Sequence, residues 1–178
     1  MHTGQIIFTI CALGLLTLAI LNLNTSITNN DVSLAQNRYR LEALSLMTSY
    51  IEQANMYFFD EASTDTTCEK KLTDFSLYHD LGLDSDDGGD FDDFDDFNNY
   101  TTVDTGLSGV HYKVMFTVDY VKLQGDTFAY STNREYNKRM TIAVTDNYSE
   151  PLLYRNVSGD KVRDTLKVSF VNSYWFYN

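Results

Sequence analysis

The residues that could do chemistry in this chain are aspartates. Eight of them lie between Asp84 and Asp96, in the tract DSDDGGDFDDFDD. Carboxylates on a tight, glycine-bearing turn supply the hard oxygens that calcium takes, about six to eight at a time. No imidazole or thiolate cluster stands nearby to favour a softer metal. Asp84, Asp86, Asp90 and Asp92 are the first-choice ligands for a Ca2+ ion, whose effect would be to stabilise the folded domain by binding it in preference to the unfolded chain. Other chemistries are poorly provided for. A catalytic centre needs a base, a nucleophile or a metal in mutual arrangement. His2, His79 and His111 are the only histidines, and they fall into no Ser–His, Cys–His or His-x-x-x-His spacing. Gly88-Gly89 has no strand before it and no Lys-Thr after it, so it is not a phosphate loop. The chain is expected not to be an enzyme.

Offsets within the acidic tract sharpen the calcium reading. Set against the helix-loop-helix calcium motif, Asp84, Asp86, Gly89, Asp90, Asp92 and Asp95 fall at matching positions. Gly88 replaces one ligand, Asp95 replaces the bidentate glutamate, and no helical pattern flanks the loop, so the likeness is to the loop chemistry alone. The competing reading is a solvated acidic surface. Phe91, Phe94 and Phe97 recur every third residue among the aspartates, and a loop with three phenylalanines gains by packing them inward. Asn24, Asn99, Asn147 and Asn156 each begin an Asn-x-Ser/Thr sequence, a pattern that chance supplies in a chain rich in those residues.

The element that must position everything else is the N-terminal stretch MHTGQIIFTICALGLLTLAILNLN. No charge occurs from Gly4 to Leu23, and the apolar residues are spread around the full helix circumference. A helix apolar all round belongs in a membrane or inside an assembly. About twenty residues at ~1.5 Å each span a hydrocarbon core of ~30 Å. A removable signal peptide fits less well: no Lys or Arg precedes Arg38, and Leu-Asn-Leu-Asn is a poor cleavage site. The stretch NTSITNNDVS then follows. Its residues bond readily to their own backbone, so the long helix is expected to loosen or cap there. From Leu34 the helical period returns through Leu41, Leu44, Met47, Ile51, Ala54 and Phe58, with Asn37, Arg38, Glu42, Ser45 and Glu52 on the opposite face. EASTDTT, from Glu61 to Thr67, ends it.

This opening resembles the type IV pilins and their pseudopilin relatives. Those proteins begin, after leader removal, with Phe or Met, carry an acid at the fifth position, and continue as an apolar helix with a glycine in its middle. Met1, Gln5 and Gly14 stand at the corresponding places, and the likeness covers roughly the first sixty residues. Gln5 departs from the family's acid, so it would bond a neighbour's N-terminal amine as a neutral amide rather than as an ion pair. Arg38 and Arg40 as written would draw the C-terminal side inward, and a removed basic leader would reverse that. DDFDDFNNY resembles a segment lying between helix and sheet in some pilin-like proteins. The resemblance implies an assembly helix including Met1, Gln5, Phe8, Gly14, Leu15 and Leu18, insertion in an inner membrane before assembly, and handling by pilus assembly machinery.

The composition is strongly acidic, which also suits cation binding. The 178 residues carry 13 Lys and Arg against 25 Asp and Glu, a formal net charge of −12. That charge argues against nucleic-acid binding, which needs a basic surface, and suits a self-repelling surface outside the cell. Cys11 lies in the apolar helix and Cys68 far along a polar stretch, beyond the ~7 Å that a bridge allows between Cα atoms if the helix is straight.

Beyond position 108 the period changes to two. Tyr112, Val114, Phe116, Val118 and Tyr120 form one face of a strand. Gln124-Gly125-Asp126 turns the chain. Met140, Ile142 and Val144 mark a second strand, a shorter one follows Pro151, and Ser158-Gly159-Asp160 turns again. Leu166, Val168, Phe170, Asn172, Tyr174 and Phe176 form one face of the last. The fold class expected is α+β: a long N-terminal helix packed on an antiparallel sheet of about four strands. Residues 1–24 form the apolar helix, 25–60 its amphipathic continuation, and 61–178 a globular domain, with an irregular acidic connection over 61–107 and the sheet over 108–178. The function expected is structural: a subunit of an extracellular, bacterial, type IV pilus-like helical homo-oligomer serving adhesion or motility. The alternatives are a pseudopilin of a secretion machine and a monomeric single-pass membrane protein with a ligand-binding ectodomain.

Overall fold

The computed structural model describes residues 3–64, 67–83 and 90–176. The chain divides into two compact units, Met1–Tyr39 and Arg40–Asn178. Its first element is one helix, α1, Thr3–Ala54, 52 residues long. The stretch NTSITNNDVS does not loosen or cap this helix but continues it. The hydroxyls explain why. Thr25 Oγ1 donates to Leu21 O at 3.0 Å, Thr28 Oγ1 to Asn24 O at 3.0 Å, and Ser33 Oγ to Asn29 O at 2.9 Å. Side chains that could have drawn the backbone out of the helix are folded back onto the carbonyl four residues earlier.

In the second unit, the helix from Arg40 onward is amphipathic. Ala43, Met47 and Ala54 are buried, and Leu46, Tyr50 and Ile51 are half-buried. The inward stripe is rotated from the expected one. Met47, Ile51 and Ala54 keep their places, but Leu41 and Leu44 are exposed. Glu42, assigned by period to the outer face, turns to the domain. Its carboxylate accepts from Ser108 N and Oγ, and from Tyr112 OH at 2.8 Å. Gly106 permits this approach, since a Cβ there would lie 2.5 Å from Glu42 Cδ. Arg40 Nη2 pairs with Asp164 Oδ2 at 2.7 Å. The helix ends at Ala54 rather than near residue 60. The backbone of Phe58 is taken instead by a parallel bridge to the acidic tract, with Phe94 N donating to Phe58 O at 2.8 Å.

Among the described residues seven strands follow: β1 Thr101–Thr105, β2 His111–Gln124, β3 Thr127–Tyr130, β4 Asn137–Asp146, β5 Tyr154–Val157, β6 Asp160–Arg163 and β7 Leu166–Ser173. The main sheet has the order β1-β2-β4-β7, all neighbours antiparallel. The hairpin strand β3 extends it beside the far end of β2, and β5 and β6 form a separate hairpin. The expected α+β class is therefore present, with four strands on the main path. The sheet starts earlier than position 108, because TTVDT in the stretch read as irregular is β1. That strand is an exposed edge with no apolar alternation, and its register is set by β2, from Thr101↔Met115 to Thr105↔His111. The expected turns are real: Gly125 sits at φ +64°, and Ser158 and Gly159 both have positive φ in the β5–β6 turn. Glycine meets that backbone requirement without steric cost.

The core lies on one face of the sheet. Tyr112, Val114, Phe116, Val118 and Tyr120 of β2 are buried, as are Met140, Ile142 and Val144 of β4. Cross-strand partners share a face, which pairs Val114 with Val144, Phe116 with Ile142, Val118 with Met140, and Tyr120 with Lys138. Lys138 thus occupies a core position.

Candidate functional site

Two features of the chain are built for interaction, one in each unit. In the first unit, the helix presents apolar side chains on all sides: Phe8 is 76% exposed, Leu15 70% and Leu18 58%. Ile6, Ile7, Ile10, Leu13, Leu16, Ile20, Leu21 and Leu23 are exposed with them. The helix is long and apolar enough to cross a membrane. Gln5 and Gly14 are exposed on the same segment, and Met1 lies outside the described residues. A Cβ on Gly14 would meet nothing within 4 Å. Nothing in the chain itself requires a glycine there, although glycine costs a helix interior about 1 kcal/mol relative to alanine.

In the second unit the acidic tract is folded inward. Phe94 and Phe97 are buried and Phe91 is half-buried. Phe91 lies 4.8 Å from Phe97 centroid to centroid, and Phe97 5.4 Å from Phe116. The inward packing expected of the three phenylalanines is present. It carries Asp93, Asp95 and Asp96 into the interior with it. Part of their hydrogen bonding is local. Asp93 Oδ1 accepts from Asp95 N at 2.8 Å and Asp96 N at 3.1 Å, while Asp96 Oδ2 accepts from Asp92 N at 2.9 Å and Asp93 N at 3.1 Å. Asp93 thus forms a local side-chain turn leading into the short helical turn Asp95–Phe97,.

The buried positive charge beside this turn is Lys138. Its side chain is fully buried, and Nζ donates to Asp60 Oδ2 at 2.7 Å, to Phe59 O at 2.9 Å and to Asp95 Oδ1. Nζ also sits 4.7 Å from the Phe59 ring centroid and 5.4 Å from that of Tyr120. Asp60 is held by Ser76 N at 3.1 Å, Ala62 N at 3.3 Å and Tyr120 OH at 3.3 Å. Burial, then the neighbouring Asp95, push the Asp93 carboxyl up to about 9. Burial raises Asp95 to about 6, with the Lys138 ammonium opposing it. Burial also raises the Tyr120 hydroxyl, with Asp60 adding to the effect. The cluster therefore holds one lysine and three acids, of which Asp60 and Asp95 contact the lysine and burial pushes Asp93 furthest toward its neutral form, in surroundings where a lone charge would be costly.

The calcium ligands proposed from spacing are described only in part. Asp90 and Asp92 are exposed, and Asp84 and Asp86 lie outside the described residues. Among the described residues no group of three His, Cys, Asp or Glu is arranged to hold a metal ion. The histidines that are described are at the surface. His79 Nε2 lies 3.4 Å from Asp80, and His111 Nδ1 lies 2.9 Å from Thr105 Oγ1. Cys11 and Cys68 are both free and exposed.

Spacing within the acidic tract did not disclose Lys138 beside Asp95. The usable signal was in β4: Lys138 has the parity of Met140, Ile142 and Val144, which places a lysine on a buried face. Asp60 carried no such signal, because its burial depends on the helix stopping at Ala54. No protein-family model, curated protein or solved structure matches this chain.

Proposed function

We propose that this chain is a structural subunit of a helical, type IV pilin-like filament, assembled through residues Thr3–Leu23. The observation that carries the reading is the exposure of apolar side chains on every side of the N-terminal helix. Such a surface must be covered by lipid or by copies of itself. Covering even a few hundred Å² per subunit, at ~25 cal/mol/Å², contributes many kcal/mol. Gly14 supports copies over lipid alone, since small residues let helices approach closely in an apolar bundle, and no contact within the chain requires it. A head-to-tail contact of this kind does not close, so it gives a filament. The sheet domains would form the acidic outer coat, and membrane insertion would precede assembly.

Transfer of the purified full-length chain out of detergent tests the reading. Sedimentable, regular fibres visible by electron microscopy support it. A chain that returns to liposomes as a single-spanning monomer and forms no fibres favours the membrane-receptor alternative.

A further inference from the structure

Lys138 and Asp95 form a pair for which an ion pair is not the only available end state. The amine nitrogen and the carboxyl group touch, and their side chains are 0% and 3% exposed. The two flanking acids differ in their surroundings. Asp60 faces the same Nζ at 2.7 Å and is held as an acceptor by Ser76 N, Ala62 N and Tyr120 OH. Asp93, whose Oδ1 accepts from Asp95 N at 2.8 Å, is a buried neighbour of the Asp95 carboxyl. The rings of Phe59 and Tyr120, both buried, lie against Nζ, and buried Phe75 packs on Phe59.

We propose that Lys138 Nζ and Asp95 Cγ condense in the folded chain into an intramolecular isopeptide bond, with Asp60 and Asp93 as the proton carriers. Asp60 takes a proton from the ammonium and leaves a neutral amine. Asp93, pushed toward its protonated form by burial, passes its proton to Asp95 and makes that carboxyl the better electrophile. Nitrogen attacks Cγ, the N–C bond forms, one C–O bond breaks, and the oxygen leaves as water with the proton Asp95 received and a second proton from nitrogen. One proton remains on the Asp60–Asp93 pair, as at the start, so the net reaction is ammonium plus carboxylate giving amide plus water. No oxidant, reductant or activated co-reactant is needed.

Two physical terms favour it. Fixing the reactants in contact replaces a bimolecular encounter by an intramolecular one. The product also replaces a buried charge pair, which is costly to desolvate, by a neutral amide. The bond would tie the start of β4 to the acidic connection and close a covalent loop within the sheet domain.

Intact mass and a tryptic map of the full-length chain under denaturing conditions test the proposal. The expected mass is one water below that of the sequence. The map is expected to contain one branched species joining residues 72–113 to residues 135–139, with no cleavage after Lys138. An Asp95→Asn chain, which keeps the shape of the contact, loses ammonia instead and converges on the wild-type mass. A wild-type chain at its full sequence mass overturns the proposal. So does a one-water deficit with the two peptides unlinked, which would mark a succinimide at another aspartate.

Discussion

Asp93 shows how strongly a single buried carboxyl is governed by its surroundings. Its proton is held in the folded state up to about 9, whereas an unfolded aspartate releases it near ~4. Between those limits the folded chain binds more protons than the unfolded one, so stability falls as pH rises, and below ~4 the effect vanishes because both states are protonated. Burial is the first cause of the shift, and it persists whether or not Asp95 is joined to Lys138. Asp93→Asn mimics the protonated acid and keeps the Oδ1 acceptor for Asp95 N and Asp96 N. Thermal melts at pH 5, 7 and 9 should give a shallower decline for the variant than for the wild type. Parallel curves would show that Asp93 is ionised in the fold. The sequence disclosed the phenylalanines' inward packing but not the aspartates' burial with them. A periodicity of three in Phe91, Phe94 and Phe97 says which residues seek the core. It does not say that their neighbours are drawn in too, and only the parity of Lys138 hinted that a partner waited there.

At the scale of elements, the strands with strict alternation were legible to within a few residues. β2 and β4 each bury one face, β7 half-buries one from Leu166 to Phe170, and burial on one face is what enforces alternation. β1 was not legible, since an exposed edge strand has no apolar face to display and owes its place to pairing with β2. The helix was legible in type but not in detail. Thr25, Thr28 and Ser33 suggested a break, yet hydroxyls bonded to the preceding turn carried the helix on. Its C-terminal end was misplaced because Phe58 fits the helical stripe but bridges Asp93 instead. Two expected outcomes belong here. Gly14→Leu should reduce fibre yield strongly while leaving the melting of the Arg40–Asn178 unit unchanged, because a side chain at position 14 meets nothing within 4 Å in the chain. Fibres of normal amount and length would remove Gly14 from the assembly contact. Deleting residues 1–24 should leave a soluble, folded monomer by gel filtration and circular dichroism, since the buried core lies entirely in the second unit. Unfolding or insolubility of residues 25–178 would mean that the apolar segment also supports the domain.

At the scale of the molecule, the chain joins a helix with apolar side chains exposed on all sides to an acidic domain with its own buried core. A net charge of −12 opposes contact between such domains,, so in the proposed filament association is driven by the helix. The most direct test is to shear the surface of cells producing the chain and image the released material by negative stain, with the subunit identified by mass spectrometry. Unbranched helical filaments composed of this chain, lost in the Gly14→Leu variant, are the result predicted. Recovery of the chain only in the membrane fraction, with no filament released, would contradict the account.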